Sequence, residues 1–141
     1  MKKVMVIVTG TQRGEDGSET VVETRAQGAY YERDGSHYLL YQEPGEDGGV
    51  PCRNRLKLTG STLELTRRGE GSSHMIFEPG RTHAADYATP FGSLKMDVSA
   101  RWVESSLQED VLEIRADYFL TSQDSLVSDC LLHIRAEGCG A

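Results

Sequence analysis

At 141 residues, the chain has single-domain length, read as one domain over 1–141, and a chain of this size buries enough surface to fold without a disulfide or a metal. Its formal net charge of −7 disfavours a broad positive surface for nucleic acid or for an anionic membrane, and no apolar run approaches the ~20 residues of a membrane helix. Neither a nucleic-acid nor a membrane partner is expected, and the three cysteines, Cys52, Cys130 and Cys139, are odd in number and far apart, which suits free thiols in a reducing cytoplasm.

The elements follow from period-two alternation. Val4-Met5-Val6-Ile7-Val8 is shorter than the about 7–15 apolar residues of a signal peptide and reads as a first strand. Farther along, Leu56 and Leu58 alternate with Arg55 and Lys57. The same pattern runs through Leu94, Met96, Val98, Ala100 and Trp102, then Leu112, Ile114, Ala116, Tyr118 and Leu120, and finally Leu126, Ser128, Cys130, Leu132 and Ile134. Such alternation marks strands with one buried face. Helical spacing is weak throughout, and the best place for a helical turn is Ser105–Asp110.

Turn signals separate these runs at 15–18, 34–35, 45–49, 60–61, 69–72, 79–80, 89–92, 105–110 and 122–124. Asp-Gly and Gly-Ser supply the positive φ of two-residue hairpins. Strands joined by short links without crossover helices predict an up-and-down antiparallel meander. A two-residue loop at Gly60-Ser61 sets a register. Leu58 then faces Leu63, Leu56 faces Leu65, Lys57 faces Glu64, and Asn54 faces Arg67 on the leucine side. The predicted fold is all-β, a single up-and-down antiparallel barrel of about 8–10 strands, because closure removes the exposed edges that a long meander leaves. A two-sheet sandwich is the alternative, and its Greek-key links need longer connections than these.

Four short motifs carry a family resemblance: Tyr38-x-x-Tyr41-x-Glu43, Arg67-x-Gly69, Met75-x-Phe77-x-x-Gly80 and Tyr87-x-Thr89-x-Phe91-Gly92-x-Leu94. In these the chain resembles the YwiB-like family of bacterial proteins over roughly Val4 to Ile134. The resemblance implies a calycin-type (lipocalin-like) barrel and brings no catalytic residues with it.

The candidate site is built from polar groups on an apolar face. Arg67 with Glu43 and Asn54 is the first group. An internal Arg67–Glu43 pair, or an Arg67 head that reaches water, is the bland reading. The functional reading is that the planar fork of Arg67 receives the carboxylate or phosphate of a partly apolar ligand. Tyr41, Tyr87, Phe91 and Trp102 would then supply apolar wall. The stretch Tyr87–Met96, with Pro90 and Gly92, is otherwise a structural corner.

His37, His74, His83 and His133 are scattered, with His83-x-x-Asp86 the only close grouping with a carboxylate, and no zinc spacing is present. No GxSxG, GxGxxG or Walker sequence occurs. Cys130 falls on the Leu132 face as a small core residue. Arg53, Arg55 and Lys57 form a stripe on the outer face, with no aromatic interleaved along it. No catalytic residue, metal site or cofactor is therefore expected. Three readings remain: a small-ligand binder, a packed barrel that acts as a homodimer or partner-binding module, and an enzyme using Glu43 or His83 as acid–base.

Overall fold

The computed structural model describes residues 1–45 and 48–140. The expected turn at 45–49 includes Glu46 and Asp47, which lie outside the described residues. Ten strands are present among those described: β1 (Lys2–Arg13), β2 (Glu19–Arg33), β3 (Ser36–Glu43), β4 (Cys52–Thr59), β5 (Thr62–Arg68), β6 (Ser72–Phe77), β7 (Thr82–Thr89), β8 (Gly92–Gln108), β9 (Val111–Ser122) and β10 (Ser125–Glu137). No helix among the described residues is long and apolar enough to cross a membrane.

Each strand pairs antiparallel with its neighbour in the chain, and β1 also pairs with β10, so the sheet closes into an up-and-down barrel. Closure leaves no long unpaired edge for another chain to extend. The β4–β5 hairpin has the expected register, with Leu58 opposite Leu63, Lys57 opposite Glu64 and Asn54 opposite Arg67. Gly60 opens its two-residue turn at φ 59°, as a type II′ turn requires.

Two expectations are corrected. Ser105–Asp110 forms no helical turn: β8 continues to Gln108, and Glu109, at φ 55°, begins a tight turn into β9. The long pairing of β8 with β9 keeps these polar residues extended despite their weak strand preference. The second correction concerns Trp102. A register shift between Ala100 and Trp102 inserts one residue into β8. After it Val103, not Trp102, is buried. Trp102 pairs with the outward Asp117 and lies on the outer surface, because a bulge reverses which face each later residue takes.

The two ends of the cylinder differ. The end holding the β2–β3, β4–β5, β6–β7 and β8–β9 turns is filled by Leu39, Leu58, Leu63, Phe77, Leu112 and Ile114, all buried. Phe77 packs edge-on against Tyr118 with ring centroids 4.6 Å apart. The segment after β10 folds back here, with Gly138 N–H donating to the Asp110 carbonyl and Lys2 Nζ to the Cys139 carbonyl. The opposite end carries polar inward residues, including Asn54, Ser73 and Ser128. Between β6 and β7 only Ser72–Ala88 and Ser73–Tyr87 are paired. This seam is the least zipped in the barrel.

Candidate functional site

Register places the site. One rung of the ladder runs through Gly28, Tyr41, Asn54, Arg67, Ser73, Tyr87 and Leu94, each paired with the next across β2 to β8. Tyr41, Asn54, Arg67 and Tyr87 thus share one level near the polar end. Glu43 lies two residues past Tyr41 on the same face, opposite Cys52. The polar group is assembled by neighbouring strands, not by closeness in sequence.

Four side chains converge there. Arg67 Nη2 lies 3.5 Å from Glu43 Oε2, Asn54 Nδ2 donates to Glu43 Oε1 at 3.2 Å, and Arg67 Nη2 lies 3.7 Å from Cys52 Sγ. The Arg67 side chain is 45% exposed. It therefore points along the inner face yet reaches water at the rim, so its pair with Glu43 contributes about 0–1 kcal/mol. Burial lowers the affinity of the Arg67 guanidinium for its proton, but the contacts with Cys52 and Glu43 outweigh this and hold its pKa above the ordinary value.

Asn54 is different. It is 3% exposed, and among the described residues its Oδ1 accepts no hydrogen bond. Buried side-chain acceptors normally have a partner, and leaving one bare costs about 1–3 kcal/mol. The rung therefore holds a dry acceptor beside a wet cation.

Across the barrel, Tyr87 Oη donates to Met75 Sδ at 3.0 Å, spanning the β6–β7 seam. Ser128 Oγ and Cys130 Sγ lie 3.3 Å apart. Next to this wall a cavity of about 380 Å³ opens among Thr20, Tyr87, Met96, Leu120, Val127 and Ser128, within the range of roughly 300–1,000 Å³ that small-molecule sites occupy. A second recess of about 480 Å³ lies over Arg67, Ser73 and the Gly69–Gly71 turn. Apolar side chains stand exposed around the same end: Val22, Leu94, Leu126 and Val127.

Phe91 is 99% exposed on the β7–β8 turn, so it stands off the rim and adds no inner wall; Trp102 adds none either. The sequence reading missed Ser73, Met75 and Ser128. Their signal was parity alone, since Ser73 precedes Met75 and Phe77 at period two. His83 bonds Glu78 at 2.9 Å rather than Asp86. Tyr38 on β3 borders the Arg55–Lys57 stripe, and Tyr31 on β2 stands behind Tyr38, an adjacency invisible along β4 itself.

Burial pushes the Cys130 thiol above its ordinary 9.0, and it pushes the Tyr41 and Tyr118 phenols well above 10.0. These groups keep their protons in the folded chain after the unfolded chain has lost them. Their stabilisation is complete below about pH 9 and is lost as pH rises beyond it. The expected result is a urea midpoint that falls from about pH 9 upward, with a limiting slope of about 1.4 kcal/mol per pH unit for each such group. A midpoint constant to pH 10.5 would contradict this assignment.

These features define a ten-stranded antiparallel β-barrel with one packed end and one polar, open end. The chain belongs to the family described as Domain of unknown function (DUF1934), whose model matches residues 6–134. It is 29% identical over 104 residues to the "Uncharacterized beta-barrel protein YwiB" of Bacillus subtilis (strain 168), covering 74% of this chain and 72% of that one. The crystal structure of the ywiB protein from Bacillus subtilis superposes with a TM-score of 0.85 at 24% identity, over 97% of this chain and 92% of the other. That likeness shows the fold.

Proposed function

We propose that the chain binds a small, partly apolar molecule with an anionic head at the open end of the barrel. The observation that carries this reading is the bare Oδ1 of Asn54 beside the half-exposed Arg67. An anionic head would receive the fork of Arg67, while an N–H or O–H next to it would donate to Asn54 Oδ1. Glu43 orients both protein groups. The apolar remainder would lie along Tyr41, Tyr87 and the exposed Val22 and Leu94. Three thiols without a disulfide suit a reducing compartment such as the cytoplasm.

The test pairs two variants. Native mass spectrometry of the purified protein reports a co-purifying molecule, and calorimetry with a hydroxylated medium-chain acid reports affinity. Arg67→Ala should weaken binding about 10–100-fold, the range for a hydrogen bond to a charged group. Asn54→Leu should weaken it about tenfold while leaving the melting temperature unchanged or higher, since removing a bare buried acceptor offsets the lost hydrogen bond to Glu43, whose carboxylate reaches water. Equal affinity of wild type and both variants would dispose of the reading.

A homodimer that covers the exposed Val22, Leu94, Leu126 and Val127 is the second reading. Its mark is a mass that doubles with concentration in light scattering and is reduced by Leu94→Lys.

A further inference from the structure

The outer face of β2–β5 holds an arrangement that the site at the open end does not use. Arg53, Arg55 and Lys57 follow one another at every second position of β4, all pointing outward. Successive cations along such a strand are roughly 6.6–6.8 Å apart. On β5, Arg68 stands directly opposite Arg53. Like charges in that position repel and destabilise a sheet.

Two arginines elsewhere on the barrel are neutralised: Arg101 pairs with Asp117 and Asp129, and Arg135 with Glu113 and Glu137. Arg53, Arg55 and Arg68 have no carboxylate partner among the described residues. Glu64 lies opposite Lys57 in register, but its carboxylate is held by His74 at 2.7 Å. The face therefore keeps a concentrated positive charge on a chain whose total is −7.

Aromatic rings flank it. Tyr31 and Tyr38 stack with centroids 4.6 Å apart and planes 5° from parallel. Arg55 and Lys57 lie 5.3 and 5.7 Å from the Tyr38 ring centroid. Tyr38 is covered by Tyr31 on one face and by the two cations, whose positions it fixes, whereas Tyr31 makes no ring or cation contact among the described residues other than that with Tyr38 and keeps its far face for a base. A line of cations beside such a ring is how proteins hold a single strand of nucleic acid without reading its sequence: phosphates meet the cations and a base stacks on the ring. An acidic protein would match the charge and leave the open face of Tyr31 without a role. Net charge governs drift of the whole molecule in a field; the local face decides what stays bound.

We infer that the outer face of β2–β5, through Arg53, Arg55, Lys57 and Arg68 with Tyr31 and Tyr38, binds single-stranded nucleic acid without sequence preference. This inference is independent of ligand binding at the open end.

The test uses fluorescence anisotropy on the full chain with a labelled oligouridylate of about twelve nucleotides. Binding is expected in the non-specific range of about 10⁻⁴–10⁻⁶ M, with a log–log salt slope near −3 for about four phosphate contacts. Arg68→Glu should lower affinity at least tenfold and raise the melting temperature, because it replaces a repulsive pair with an attractive one. Tyr31→Ala should lower affinity at least fivefold, as loss of a stacked base does. Arg67→Ala should leave oligonucleotide binding unchanged. Absence of binding at low salt would overturn the inference. So would equal binding of polyglutamate that is insensitive to Tyr31→Ala, an outcome that assigns the face to acidic proteins.

Discussion

Phe77→Ala is expected to lower stability by about 3–5 kcal/mol, the range for removing a buried aromatic ring. Phe77 is fully buried, faces Leu63 across β5–β6 and meets Tyr118 edge-on. Its ring fills the packed end of the cylinder where ten strands converge, and neighbouring side chains held by their own ladders cannot collapse into the space. For a domain near this size the melting temperature should fall on the order of 10–15 °C. Phe77→Leu, which keeps most of the volume, should lose much less. A loss below 1 kcal/mol for Phe77→Ala in urea titration would mean that this end is loosely filled.

Gly28→Ala is the second large effect. A methyl group there would lie 2.5 Å from the Leu40 carbonyl oxygen and 3.1 Å from both Tyr41 Cβ and Val6 Cγ2. The first contact is with backbone, so relief requires β2 and β3 to move apart along their ladder. Overpacking of this kind costs about 1–3 kcal/mol, and the position heads the rung that carries Tyr41, Asn54 and Arg67. The displacement would therefore reach the ligand site as well. Gly10→Ala serves as control: nothing lies within 4 Å of the added methyl, and a gain of about 0.4–1 kcal/mol is expected from the stiffer unfolded chain. Equal melting temperatures for the two variants would refute the close approach at Gly28.

Much of this architecture was legible because strand parity is local. The leucines of β4 and β5 announce their face, and Gly60-Ser61 fixes their register, so the sequence alone sets Asn54 opposite Arg67. Turn chemistry marked the boundaries even where, as at Gln123-Asp124, no glycine supplies the positive φ. Trp102 was misplaced because one inserted residue at Arg101 resets parity without leaving a compositional trace. Ser105–Asp110 reads as a helical turn because its polar residues favour no strand, and Ser105–Gln108 are extended only by pairing with β9. The candidate site was half visible. Charge and aromaticity drew notice to Arg67, Glu43, Tyr41 and Tyr87. Ser73 and the bare acceptor on Asn54 stayed hidden, since hydrogen-bond satisfaction is a property of three-dimensional neighbours.

The pairing of β1 with β10 has a consequence for how the molecule is made. Nine of its ten seams join strands that follow one another in the chain, so loop-closure entropy is small and each hairpin can zip onto the last as it emerges. The tenth joins strands separated by most of the chain, and it forms only after β10 has been synthesised. Until then the growing sheet carries two bare margins, one on β1 and one on its newest strand. The interval before closure is when another copy could add to those margins, and quick capture of β10 by β1 is the fold's defence against it.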